Sequence, residues 1–241
     1  MSDVVLHRHR EVWKQKPVLR QLYAEWYRDI VSWLVPGRTI EVGGGTGNLK
    51  EYASGVYCTD IIRLPWLDGV TDAQRLPFQS GSLANLVLFD ALHHIENVSL
   101  FFDEALRTLK AGGRVIIMDP YISWVSWPIY RFLHSEPVDF AQNPLILRTP
   151  RPGRQPFDSN QAISTILFEK ELTRFQSRYP QFAVRSVRRI AFFAYPLSGG
   201  FEHPSLMPTW LVGSMLDLEQ KLEGLGWLFA FRMFVVLERQ L

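Results

Sequence analysis

The sequence predicts an α/β domain in which a mostly parallel sheet is covered by helices on both faces. Three observations carry that expectation. Short apolar runs alternate with helical segments through the first half of the chain, a glycine-rich turn follows the first strand-like run, and an acid, Asp60, follows the second. Of the 241 residues, 47% are apolar, which is enough to build a sizeable core in one domain of this length.

The elements follow in chain order. Residues from about Glu11 to Leu34 read as a helix, because Trp13, Leu19, Leu22, Tyr23, Trp26, Ile30, Trp33 and Leu34 form an apolar stripe that Pro36-Gly37 ends. Strands are expected at Thr39 to Val42, Gly55 to Thr59, Leu83 to Phe89 and Arg114 to Asp119. Helical segments separate them, beginning near Gly47, near Ala91 and at Leu100. The last runs to Lys110, where Ala111-Gly112-Gly113 is the stop signal. From Tyr121 to Pro156 the chain becomes aromatic and proline-punctuated. Ligands of a parallel sheet sit outside the carboxyl ends of its strands, and this insertion leaves from one such end, so it reads as a cover over the site. Its Trp124, Trp127 and Tyr130 have the helical spacing of core residues. A helix is expected from about Asn160 to Tyr179. Strands from Phe182 to Phe193 and Trp227 to Glu238 follow, joined by a loop with Tyr195 to Phe201 and a helix near Pro208 to Leu222. The run Leu225 to Leu237 carries Arg232 and is too short for a bilayer, so it reads as a buried strand. There is no internal repeat.

The turn Thr39-Ile-Glu-Val-Gly-Gly-Gly-Thr-Gly-Asn48 is the strongest functional signal. Glycines after a strand let the backbone turn through positive φ and let a ligand approach the peptide groups. A dinucleotide fingerprint needs a third glycine where this chain has Asn48; the pattern here is Glu41-x-Gly43-x-Gly45-x-Gly47. Asp60 lies 17 positions after Gly43, near the spacing of a ribose-binding acid, and an ionised carboxylate can accept from both hydroxyls of a vicinal diol. Then come Asp72-Ala-Gln-Arg-Leu-Pro-Phe78 and Leu86-Val-Leu-Phe-Asp-Ala-Leu-His-His-Ile95.

With these motifs the chain resembles the class I S-adenosylmethionine-dependent methyltransferases, in particular the small-molecule branch with the Leu-His-His signature. The resemblance is close from Thr39 to Pro120 and holds only in outline elsewhere. It implies a Rossmann-like, seven-stranded, mostly parallel sheet closed by a hairpin-like last pair, with S-adenosyl-L-methionine as cofactor. By the same resemblance the loop of Glu41, Gly43, Gly44, Gly45 and Gly47 holds the methionine and ribose part. Asp60 takes the ribose hydroxyls, Ile61 packs on the adenine, and Asp72 and Ala73 flank its edge. Phe89 and Asp90, closing the fourth strand, complete the cofactor set. The acid that usually opens that strand is replaced by Ala84-Asn85, which touches packing rather than cofactor binding.

The expected organisation is one methyltransferase domain over 1–241. It comprises an N-terminal helical segment (1–36), a cofactor-binding core (37–120), a substrate-cover insertion and helix (121–180), and C-terminal strands with an inserted helix (181–241). A net charge of +2 gives no case for nucleic acid as a partner. The single cysteine, Cys58, excludes an internal disulfide framework and fits a reducing compartment. The segment Met1 to Arg10 lacks the apolar stretch of a signal peptide, so the expectation is a cytoplasmic protein without a transmembrane segment, monomeric or homodimeric.

Methyl transfer from a sulfonium needs in-line positioning, and a base only where the acceptor is a hydroxyl. The catalytic candidates are His93, after the fourth strand, and His134, in the cover beside Glu136; His94 reads as structural. Asp90, His93 and His94 have ligand chemistry, but no fourth ligand is identifiable and no metal is expected. Basic residues outnumber acidic ones between Ala141 and Ile190, Arg148, Arg151 and Arg154 among them, which points to an anionic small-molecule acceptor. The leading expectation is O-methylation of a glycan, glycolipid or quinone-like metabolite. The alternatives are a catalytically silent accessory subunit and, less favoured, an RNA methyltransferase. For the last the chain lacks both an Asn-Pro-Pro-Tyr-like motif and an appended RNA-binding domain.

Overall fold

The computed structural model describes residues 2–149 and 151–241; Met1 of the N-terminal segment and Pro150 of the cover lie outside the described residues. Seven strands form one sheet in the order β3-β2-β1-β4-β5-β7-β6. They are β1 (Thr39–Val42), β2 (Val56–Asp60), β3 (Gly69–Val70), β4 (Leu83–Phe89), β5 (Leu109–Pro120), β6 (Phe182–Ile190) and β7 (Arg232–Arg239). Strands β1 to β5 pair in parallel, and β7 runs antiparallel between β5 and β6. Every residue of β1 and β4 is buried, as expected of central parallel strands covered on both faces. One face packs Leu86, Leu88, Ile117 and Val235 against Phe101 and Phe102 of helix α3 (Val98–Thr108). The other packs Val87, Ile116 and Phe234 against helix α2 (Pro17–Ser32). Leu19, Leu22 and Ile30 of α2 are fully buried, each contributing about 1.5–3 kcal/mol.

Strand order reverses between β1 and β4, and the crevice at such a switch point is where an open α/β sheet binds its ligand. The expected fold class is therefore observed, with several local corrections. The N-terminal helix begins at Ser2 and is broken, giving α1 (Ser2–Gln15) before α2. Proline disfavours the helical conformation at the preceding residue and is itself well placed at a first helical position; Lys16 adopts φ −113°, ψ 88°, and Pro17 opens α2. The helices expected from Gly47 and Ala91 shrink to single 3-10 turns, Asn48–Glu51 and Leu92–His94. Helix α3 ends at Thr108, and Ala111 to Gly113 lie within β5, with Gly112 at φ 72°. The edge strand β3, two exposed residues long, carries no periodicity to read.

The Asn160 to Tyr179 helix is interrupted by a π turn, Ile166–Lys170. Just before it, two side chains turn to other elements: Ser164 donates to Asp119, and Thr165 accepts from the Ile122 N–H. Ala194–Ser198 is a helical turn rather than part of a loop, and Gly226–Phe229 is helical rather than strand, leaving Trp227 half exposed. In the cover, helix α4 (Ser126–Leu133) buries Tyr130, whose hydroxyl donates to the Phe231 carbonyl, but Trp124 and Trp127 stand exposed rather than in the core. Among the described residues no helix is long and apolar enough to cross a membrane.

Candidate functional site

A cavity of about 1320 Å³ opens outside the carboxyl ends of β1, β2 and β4 and extends beneath the cover. Its walls come from local chain at the strand ends on one side and from distant segments on the other.

On the first side, β1 delivers Gly43 (φ 72°) and Gly45 (φ 43°) into the turn. A Cβ on Gly43 would stand 2.5 Å from the Ala91 side chain, so only glycine fits. Gly44 donates to the Thr59 carbonyl at 2.8 Å, tying the loop to β2. Gly47 (φ 72°) closes the turn against Trp66 and Leu67 and, unlike Gly43, Gly44 and Gly45, does not line the cavity. Asp60, at the end of β2, accepts the Gly45 N–H at 3.0 Å and the Ile62 N–H at 2.9 Å. Each carboxylate oxygen has thus taken one backbone donor and has lone-pair capacity left. Burial raises the Asp60 carboxyl while these backbone donors oppose the rise. Ile61 is 50% exposed beside it. Asp72 also reaches the cavity wall, next to Ala73, and accepts the Gln74 N–H at 2.8 Å as a turn-capping acid would.

Glu41 is buried beneath the loop and accepts the Cys58 thiol at 2.8 Å. Burial, the largest influence, pushes its carboxyl up to about 7, and the thiol bond and nearby Lys50 only partly offset it. Phe89 lines the cavity and packs on Tyr23 and Tyr27. Asp90 has φ 52° and forms a two-pronged ion pair with Arg232. Arg232 is 2% exposed and ringed by Tyr195, Trp26, Phe89 and Tyr23, with the Tyr195 ring centroid at 4.4 Å. Such a cation in an otherwise apolar strand is the sequence signal for this pair, since buried charges are almost always partnered.

On the other side stands a side-chain cluster. The Nδ1 of His93 meets Asp119 at 2.8 Å, and Asp119 in turn accepts the Ser164 hydroxyl at 2.6 Å. The Nε2 of His93 lies 3.3 Å from Glu136, and the Nε2 of His94 lies 3.8 Å from the other oxygen of that carboxylate. Gln161 donates to Glu136 as well. Burial disfavours charge on His93, but Asp119 and Glu136 outweigh it and hold the imidazole up at about 10. Burial works against Glu136 too, and its contacts with His93 and His94 bring it down to about 2. His94 is pushed down to about 4, first by burial and then by the neighbouring His93 cation.

The expectation had Glu136 paired with His134. Instead the carboxylate turns inward to His93 and His94, while His134 lies exposed at the cavity rim and its Nδ1 accepts only the Glu136 backbone N–H, at 3.3 Å. Asp90, grouped with the histidines on the sequence, belongs to Arg232. Arg151 and Arg154 line the cavity and Arg148 does not; the backbone N–H of Arg148 donates to the Asn97 side chain.

Residues 40–117 match the family model described as a methyltransferase domain. No curated protein matches the chain significantly. Among solved structures, a chain from the complex of a Haloferax volcanii methyltransferase activator with a methyltransferase is 13% identical. That match has a TM-score of 0.55 and covers 100% of this chain and 98% of that one. A SAM-dependent methyltransferase from Archaeoglobus fulgidus is 12% identical over 92% of this chain and 94% of its own, with a TM-score of 0.54. A geranyl diphosphate C-methyltransferase from Streptomyces coelicolor is 12% identical over 92% and 82%, with a TM-score of 0.51. At these identities the likeness establishes the fold, which is the Rossmann-like fold of methyltransferases.

Proposed function

We propose that the protein is an S-adenosyl-L-methionine-dependent methyltransferase that methylates a hydroxyl on a small, anionic acceptor. The observation that carries this reading is one continuous cavity joining the glycine loop and Asp60 to the His93–Glu136 cluster. The residues present fit the cofactor: Asp60 keeps acceptor capacity for two ribose hydroxyls, and the exposed Ile61 beside it offers an apolar surface to the adenine. Gly43, Gly44 and Gly45 would hold the amino-acid end, with Asp72, Ala73 and Phe89 completing the lining. When bound, the cofactor supplies an electrophilic methyl group.

The chain's own residues position the acceptor and manage its proton. His93 and Glu136 touch at 3.3 Å on the cavity wall, so an acceptor hydroxyl beside them meets an imidazole N–H and a carboxylate oxygen that can take its hydrogen bond and orient it. Asp119 and Ser164 hold the imidazole in orientation from behind. His134, Arg151 and Arg154 at the rim favour an acceptor with an anionic group. The geranyl diphosphate enzyme, a relative in fold, acts on an anionic isoprenoid, and an acceptor pairing a phosphate with an apolar portion suits this cavity on its own chemistry.

Calorimetry with S-adenosylmethionine and its demethylated product is the primary test. Micromolar binding, about −8 kcal/mol, is expected for both, and no heat with either would end this reading. His93→Gln should then lower the methyl-transfer rate by about 10²- to 10⁴-fold with cofactor affinity retained.

A further inference from the structure

Among the described residues, His93, His94 and Glu136 bring three metal-ligating side chains to one point on the cavity wall, with their donor atoms all within 4.8 Å of one another. The fit to a cation is geometric. Nitrogen and oxygen ligands held about 2.0–2.1 Å from a tetrahedral ion lie about 3.3–3.5 Å apart. The two oxygens of Glu136 lie 3.3 Å from the Nε2 of His93 and 3.8 Å from the Nε2 of His94, and one ligand atom from each residue falls within 4.8 Å of the others, so an ion would be held by drawing these side chains inward around it. Behind the cluster the pattern is that of a metal-bound histidine: the Nδ1 of His93 is held by Asp119, which leaves Nε2 directed at Glu136. A histidine ligand ordinarily gives its second nitrogen to a carboxylate, which fixes the ring and strengthens the ligand.

An unpartnered atom points the same way. The Oε1 of Gln161, whose amide nitrogen donates to Glu136, is buried without a hydrogen-bond partner, and Gln161 is 2% exposed. Buried polar atoms are nearly always satisfied, so this orphan beside the cluster marks a polar ligand to be accommodated there. The Gln161 carbonyl oxygen is an acceptor, suited to a water or hydroxyl on the ion.

We infer that His93, His94 and Glu136 form a two-histidine, one-carboxylate site for a divalent transition metal, open toward the cavity. Imidazole and carboxylate together suit Zn²⁺, Mn²⁺, Fe²⁺ or Co²⁺. The positions not filled by the chain would take oxygen donors, and an acceptor offering two adjacent oxygens would fill them best. This site stands on its own ligands and does not rest on the methyltransferase reading; with an ion bound, the Nε2 of His93 gives its lone pair to the metal and is no longer the N–H donor of the proposed function, whose description applies to the metal-free site.

Tag-free, chelator-treated protein titrated separately with Co²⁺, Mn²⁺ and Zn²⁺ tests it. One equivalent should bind per chain, with Co²⁺ developing visible absorption. Glu136→Gln and His94→Ala should each abolish that binding, and Asp119→Asn should weaken it by about 10- to 100-fold. Circular dichroism of each variant confirms that it is folded. The inference fails if none of the three ions binds at one equivalent, or if binding persists unchanged in folded Glu136→Gln and His94→Ala. Parallel cofactor titrations separate the two ideas: loss of cofactor binding with intact metal binding would refute the proposed function and leave this site standing.

Discussion

On the glycine-loop side, the cavity is built by short stretches of chain at strand ends, and much of what they present is backbone; across from it, the His93 cluster draws Asp119 from β5, Glu136 from the cover and Gln161 and Ser164 from the segment after it. The first wall needs only that β1 and β2 pair in register, since Gly44 and Gly45 are then tied to Thr59 and Asp60. The second needs the cover to fold back, which the Asn160 N–H to His93 carbonyl bond at 2.9 Å secures. The wall made of local backbone is robust in form and general in chemistry. The wall made of converging side chains is where specificity is set, and single substitutions there should be felt most selectively.

The largest effect should come where the two walls are joined. Arg232→Met removes the partner of Asp90 inside an aromatic ring of contacts; Asp90 keeps 33% of its side-chain surface in water, so the loss falls at the low end of the about 3–5 kcal/mol of a broken buried pair. Denaturant melts should show it, and an unchanged midpoint would separate the walls energetically. Next, Asp60→Ala should weaken cofactor binding by about 2–4 kcal/mol without unfolding the chain, by removing a charged hydrogen-bond acceptor. Calorimetry on the variant decides it, and parent-like affinity would remove Asp60 from the cofactor wall.

A pH experiment sharpens the comparison further. The Glu41 carboxyl is raised from 4.5 to about 7, chiefly by burial. Below pH 4.5 it is protonated folded or unfolded and costs nothing. Between 4.5 and 7 the unfolded chain releases its proton first, so stability falls as pH rises, by about 3 kcal/mol in all once above 7. Glu41→Gln should therefore match the parent at pH 4 and exceed it at pH 8, measured by chemical denaturation without ligand. A constant difference across pH would contradict the assignment. Smallest of all, Arg148→Ala should change stability by no more than about 0.5 kcal/mol and leave methyl transfer intact, because its side chain is exposed and off the cavity. Arg154, whose guanidinium donates to the His94 carbonyl at 2.5 Å, is the basic residue of the cover expected to matter.

The same contrast explains what could be read in advance. Strand β4 is apolar but for Asn85, short runs like it alternate with helical segments, and the glycine loop is contiguous in sequence, so the α/β class and the loop were legible from the chain itself, while the seven-stranded closure came from the resemblance. The break at Pro17 contradicts the single helix expected from Glu11 to Leu34: a proline inside a helical stripe is a stop signal, and the apolar stripe running through it masked that signal. Trp124 and Trp127 share the helical spacing of Tyr130, and spacing does not say which face of α4 meets the core. The inward turn of Glu136 could not be read at all. Its partner His93 is 43 residues away, and the pairing exists only once the cover has folded back over β5.

The placement of β7 has a consequence for how the chain assembles. Among the described residues β7 is the last strand in sequence, yet it lies between β5 and β6, and β6 pairs there with no other strand. Until Arg232–Arg239 is available, β5 presents a twelve-residue edge containing Val115, Ile116, Ile117 and Met118, and β6 has no strand to pair with. Between the synthesis of β5 and that of β7 the growing chain therefore carries an open, apolar sheet edge, the kind of surface that invites pairing with other chains. Closing that edge is also the act that delivers Arg232 to Asp90, so the last step of sheet assembly and the completion of the cavity are one event.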